Sequence, residues 1–186
     1  MGEGLTIIEN KRRKKKVSPY VKKKKETKAS IFRRWFIPES VIKGGGWNKV
    51  FRYQNPIEKG IYWWHFSREV RKRDVAKWGT CISCGRPITI ETSQAGHFMP
   101  AEDCGRDLLF DERNVNAECS RCNAWDETHL LGYAENLDKR YGVGTAFSLR
   151  KRRQEYKDKL KRGEVVKDWK REEYEQKLYE LQQRTV

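Results

Sequence analysis

Four cysteines carry the plainest chemistry in this sequence. Cys81 and Cys84 lie in CISC, Cys119 and Cys122 in CSRC, with 34 residues between the pairs. Two C-x2-C knuckles of this shape place four thiolates around one tetrahedral ion, and Zn2+ fits best, with Zn–S near ~2.3 Å and no open position. Such a zinc is structural. It would supply much of the folding energy of a small unit. Four unrelated buried cysteines are the competing reading, and the paired spacing argues against it. Cys104 is left over as a plain reduced thiol. The segment between the knuckles contains SQAGHFMP, with His97 thirteen residues after Cys84, and then ERNVN. Asn123 follows the last cysteine directly, and WDETH comes next.

Those residues need elements to place them. Tyr62, Phe66 and Val70 recur at helical spacing, which predicts a helix over 60–76. Arg68, Arg71, Lys72 and Arg73 fall outside its apolar stripe, as a wet basic face or a face that tracks phosphates. PITI, AGHFM and DLLF read as short strands, and a helix is expected from about Asn116. Leu130, Ala134, Leu137 and Tyr141 mark another helix, stopped by Gly142. Beyond Thr145 the chain reads as charged and helical, with a break near Gly163. Trp169, Tyr174, Leu178 and Leu181 form a last stripe that either docks on the core or pairs with a second copy.

Composition sets the class. Of 186 residues, 36% are charged and 37% hydrophobic, with a formal charge of +15. A core spread over the whole length is excluded. Such an excess of bases points first to nucleic acid and second to an anionic membrane surface. No apolar run reaches transmembrane length and no secretory leader is visible. A cytoplasmic location is expected, where cysteines stay reduced. Residues 1–30 read as a disordered basic tail. Their eleven Lys and Arg against three Glu supply +8 of the charge. Lys14, Lys15, Lys23 and Lys24 of that tail are candidate phosphate contacts, and solubility or a nuclear address are the alternatives. Residues 31–59 form an aromatic and basic linker whose Trp35, Trp47 and Tyr53 either stack on bases or are buried. Residues 60–144 hold the zinc-knuckle core with its preceding helix, and 145–186 the charged C-terminal helices. The fold class is α+β: a small zinc-clamped core flanked by helices.

The order of knuckle, AGH, asparagine and knuckle resembles an HNH, or ββα-metal, nuclease. More narrowly, WHFSREVRKRD, CISCG, AGHF, LLFDERNVNAECSRCN, LLGYAENLDKRYG and REEYEQKLYEL, in that order, are similar to the NinG/Rap recombination proteins of lambda-type phages. The resemblance covers roughly residues 60–183. It implies a structure-specific endonuclease for branched DNA, Holliday junctions and D-loops, with catalytic Mg2+ or Mn2+ besides Zn2+. It implies His97 as general base, Asn114 as the amide that orients the hairpin, and Asn123 as a ligand of the catalytic ion or the neighbour of one. Packing, an ordinary turn and a helix cap are the respective alternatives.

This chain departs from that pattern twice. Gln94 stands where the family has an acid three residues before the histidine, and Trp125 where it tends to have a histidine after the knuckle asparagine. Asp126, Glu127 and His129 are replacement ligands. Arg86, Arg106, Arg113 and Arg121 either clamp DNA or offset the negative zinc–thiolate centre. A homodimer through the C-terminal helices is expected of a junction resolvase. The remaining alternatives are a zinc-containing nucleic-acid-binding module without catalysis and an HNH nickase of homing type.

Overall fold

The computed structural model describes residues 37–38, 57–124, 129–164, 166 and 168–183. The basic tail and most of the aromatic linker lie outside the described residues, as do Trp125, Asp126 and Glu127.

Helix α1 spans Ile57–Lys77. Ile61, Tyr62, Phe66 and Val70 are buried along one face, with Asp74 at its end. The face beside it is not left wet. Arg71 Nη1 donates to the carbonyls of Ile90 and Ser93, and Arg73 Nη1 to that of Glu112. Two of the four expected phosphate contacts therefore hold loops of this chain. Lys72 pairs with Glu69 at 2.9 Å, and Arg68 lies 4.7 Å from the Trp64 ring centre.

Strands β1 (Ser93–His97) and β2 (Val115–Cys119) form an antiparallel pair. The register sets Gln94 opposite Glu118, Gly96 opposite Asn116 and His97 opposite Val115. Helix α1 packs on this pair, and Asp74 Oδ2 accepts the Ala117 amide at 2.7 Å. The rest of the order is a 3-10 turn at Ala101–Asp103, α2 at Arg106–Leu109, α3 at Ser120–Ala124, α4 at His129–Tyr141, α5 at Thr145–Lys161 and α6 at Arg171–Gln183.

Three expectations about elements are corrected. DLLF lies in helix α2 and its exit, because Leu108 and Leu109 turn inward beneath α5. PITI forms only an isolated bridge, Thr80 to Pro87, since Pro87 has no amide to continue a ladder. The helix expected from Asn116 starts at Ser120, because residues 115–119 alternate on a pleat.

Helix α4 ends at Gly142, whose φ of 103° is open to glycine. Asp138 then accepts the amides of Gly144 and Ala146 and caps α5, and those bonds hold its carboxyl below the usual range. One core joins α1 to Tyr174, Leu178 and Leu181 of α6. The last apolar stripe therefore docks within its own chain. A second core joins Phe98, Tyr133, Leu137 and Leu149. Among the described residues, no helix is long and apolar enough to cross a membrane.

Candidate functional site

The sulfurs of Cys81, Cys84, Cys119 and Cys122 all lie within 4.8 Å of one another, and Cys84 Sγ is 3.9 Å from Cys119 Sγ. A tetrahedral ion with Zn–S near ~2.3 Å needs sulfur–sulfur edges of roughly 3.8 Å. The set fits, and it could hold a zinc ion. Two different elements build it. The first knuckle is a turn in which Gly85 N–H donates to the Cys81 carbonyl at 2.9 Å, with Gly85 at φ 71°. The second starts on the last residue of β2 and closes on α3. Cys119 N–H points at Cys81 Sγ at 3.3 Å, an orientation that suits a thiolate. Helix α4 backs the first knuckle: a Cβ at Gly132 would collide with the Ser83 carbonyl. Cys104 is apart from this group. It lies near the Met99 carbonyl, and burial pushes its thiol up to about 11.

His97 ends β1. Its ring stacks on Trp63 of α1, with centroids 4.9 Å apart and 18° between planes. Nε2 lies 3.0 Å from the Leu109 carbonyl oxygen. A carbonyl only accepts, so Nε2 carries the proton and a neutral ring leaves its lone pair on Nδ1. Desolvation by burial holds the pKa below the ordinary value, which favours that neutral form.

Asn114 is fully buried where the loop between the strands returns to β2. Its Nδ2 donates to the Leu108 carbonyl at 2.9 Å, and its Oδ1 accepts the Met99 amide at 2.8 Å. One amide therefore ties both limbs of the loop that carries Leu109, and through it the His97 ring.

Asn123 lies on the opposite face of the strand pair. Its Nδ2 donates to Gln94 Oε1 at 2.6 Å. The pleat sends Gln94 and Gly96 to this face and His97 to the α1 face. The structure thus joins Asn123 with Gln94 and does not bring His97 into the same cluster. Glu118, which sequence reasoning missed, belongs to the Gln94 side. Its Oε1 accepts from Ser83 Oγ, while its buried Oε2 has no hydrogen-bond partner among the described residues. Desolvation raises its pKa, against the Ser83 hydrogen bond and the charge of His129. His129, the first residue of α4, is thereby placed near this carboxylate.

The candidate bases separate into two kinds. Arg113 forms two bonds to Asp111, and Arg106 pairs with Asp168 beside the Trp169 ring. Arg86 and Arg121 are exposed on the two knuckles, and neither has an ion-pair partner among the described residues. Asp126, Glu127, Lys14, Lys15, Lys23 and Lys24 lie outside the described residues.

Residues 63–184, which span both knuckles, the strand pair and the C-terminal helices, match the family described as the bacteriophage Lambda NinG protein. The chain belongs to the NinG family. It is 31% identical over 116 residues to protein ninG of Salmonella phage P22, a match covering 62% of this chain and 52% of that relative. Protein ninG of Escherichia phage lambda and of Escherichia phage 933W are each 30% identical over 116 residues, with the same coverage. The chain thus spans about half the length of the curated NinG relatives it matches. No solved structure matches it.

Proposed function

We propose that this NinG-family chain is a metal-dependent endonuclease that cuts branched DNA, such as Holliday junctions and D-loops, in phage recombination. In this reading the unit β1–β2–α3 is an HNH-like ββα-metal core clamped by zinc. The observation that carries it is the His97 ring: neutral, fixed at one nitrogen by Leu109, and one residue from the face where Gln94 meets Asn123. The reading requires a phosphodiester seated over the end of β1, where it meets both faces of the strand pair.

His97 Nδ1 takes a proton from a water. The water oxygen bonds to phosphorus as the P–O bond to the leaving oxygen breaks, and that oxygen takes a proton from solvent. The Leu109 carbonyl holds the ring in this tautomer and stabilises the imidazolium that forms. Asn114 holds Leu109. A divalent Mg2+ or Mn2+ beside Asn123 would polarise the phosphate and stabilise the leaving oxygen. Arg86, Arg121 and the basic tail supply phosphate contacts, consistent with the charge of +15. The preference for branches rests on the family resemblance. A resolvase presents two active sites to a four-way junction, so a homodimer is part of the proposal. Its contact falls on faces of the C-terminal helices other than the docked stripe of α6.

One observation favours a second reading, a zinc-containing binding module without catalysis: the His97 ring lies on the face away from Asn123. Cleavage of a four-way junction by zinc-loaded protein with Mg2+ or Mn2+ separates the two. The nuclease reading expects cut junctions, with His97→Ala lowering the rate by about 10²–10⁴-fold while junction binding persists. No product with either ion favours the module. Equal cutting of linear duplex of the same sequence favours a nickase of homing type.

A further inference from the structure

The family acid expected three residues before His97 is replaced by Gln94, yet a carboxylate stands directly across the strand pair from it. Glu118 is opposite Gln94 in the register and is 0% exposed. Its Oε1 is bonded to Ser83, whereas Oε2 is buried without a donor among the described residues. Oε2 points over Gly96. A Cβ at residue 96 would collide with Oε2 and would lie 2.6 Å from Asn123 Oδ1. Two oxygens that only accept therefore converge on one point, and the backbone makes room for them by having glycine there. With its Nδ2 bonded to Gln94, the Asn123 amide turns Oδ1 toward Glu118. A buried carboxylate oxygen without a donor, faced by a second acceptor oxygen, calls for a cation or a proton between them.

We propose that Glu118 and Asn123 hold a divalent cation over Gly96, so that the second strand delivers the carboxylate that the first strand lacks. Both ligands are hard oxygens, which suits Mg2+ or Mn2+, and two protein ligands leave positions for water and for phosphate oxygens. Gln94 is a positioning residue: it fixes the Asn123 amide so that Oδ1 faces the ion. Ser83 fixes the other carboxylate oxygen, which ties the cation site to the first zinc knuckle. The site deepens the endonuclease reading and rests on it only for the use made of the ion.

The test is Mn2+ binding to the zinc-loaded full chain, followed by electron paramagnetic resonance, so that it does not depend on DNA cutting. The wild type should bind one Mn2+ outside the cysteine site. Glu118→Gln should weaken that binding at least tenfold with zinc content unchanged. The double variant E118Q/Q94D, which moves the carboxylate across the rung, should restore it. Asn123 is exposed on α3, so Asn123→Ala tests the site without disturbing the core, and it should also weaken binding. Gly96→Ala should abolish it by placing a methyl group between the ligands. No Mn2+ bound by the wild type, or equal binding by E118Q, overturns the proposal. It would mean that a proton, or a reversed amide, lies between the two oxygens. Mn2+ binding lost in E118Q without any cleavage by the wild type would sustain the site and defeat the nuclease reading. Cleavage with the same Mn2+ dependence in E118Q would sustain the nuclease and defeat the site.

Discussion

Asn114→Ala is the substitution whose cost the structure sets most closely. The side chain is 0% exposed and joins the Leu108 carbonyl to the Met99 amide. Removing it leaves the Met99 amide unpaired in buried surroundings, at about 1–3 kcal/mol. The Leu108 carbonyl keeps only the Asp111 amide at 3.3 Å and loses a hydrogen bond worth about 0.5–1.5 kcal/mol. The expected loss is thus about 1.5–4.5 kcal/mol, the lower end applying if water enters the space left behind. For a chain of this size that lowers Tm by roughly 3–18 °C. Urea and thermal unfolding with saturating zinc measure it. Leu108 adjoins Leu109, whose carbonyl fixes the His97 proton, so on the nuclease reading the cleavage rate of the folded fraction should also fall. A stability change under about 0.5 kcal/mol, in the range of ordinary surface substitutions, would refute the claim that one amide holds the loop. An unchanged rate in a destabilised protein would refute the link from the loop to His97.

Other perturbations follow from the same geometry. A general base works only when deprotonated, and burial holds the His97 pKa below its ordinary value. On the nuclease reading, the acid limb of the cleavage rate should therefore be centred below about 6.5; an acid limb centred above that value would contradict the assigned role. Zinc removal should melt the unit of knuckles and strands, read as loss of amide protection across Ser93–His97 and Val115–Cys119 in hydrogen exchange. Undiminished protection in zinc-free protein would contradict the clamp. Deleting residues 1–28, with their net +8, should weaken DNA binding about equally for all sequences and flatten its salt dependence; an unchanged slope would show that the tail makes no phosphate contacts.

What the sequence disclosed, and what it hid, follows the range of the interactions involved. The cysteine knuckles were legible because thiolates that could hold one ion must be spaced locally. Helices α1, α4 and α6 were legible from stripes such as Tyr62, Phe66 and Val70, and from Gly142 as a stop. Strand β2 was not. Asn116 and Glu118 look like surface positions, yet both are buried, and their polarity disguised the alternation of Val115, Ala117 and Cys119. The period of two was present and is the signal that would have found the strand. Glu118 as a partner of Gln94 was beyond reach, because the register depends on a loop of seventeen residues whose closure is set by Asn114. Arg71 and Arg73 looked like a phosphate-binding face because a sequence does not reveal which carbonyls need a donor.

Nearly every feature of the site hangs on the cysteine clamp: the start of α3, the seat of Ser83 against Glu118, and the hairpin that ends in His97. X-ray absorption at the zinc edge of the purified full chain tests it most directly. The account predicts one zinc per chain, surrounded by four sulfurs at about 2.3 Å. Nitrogen or oxygen atoms in that shell, or protein that folds and binds DNA with no zinc at all, would contradict it.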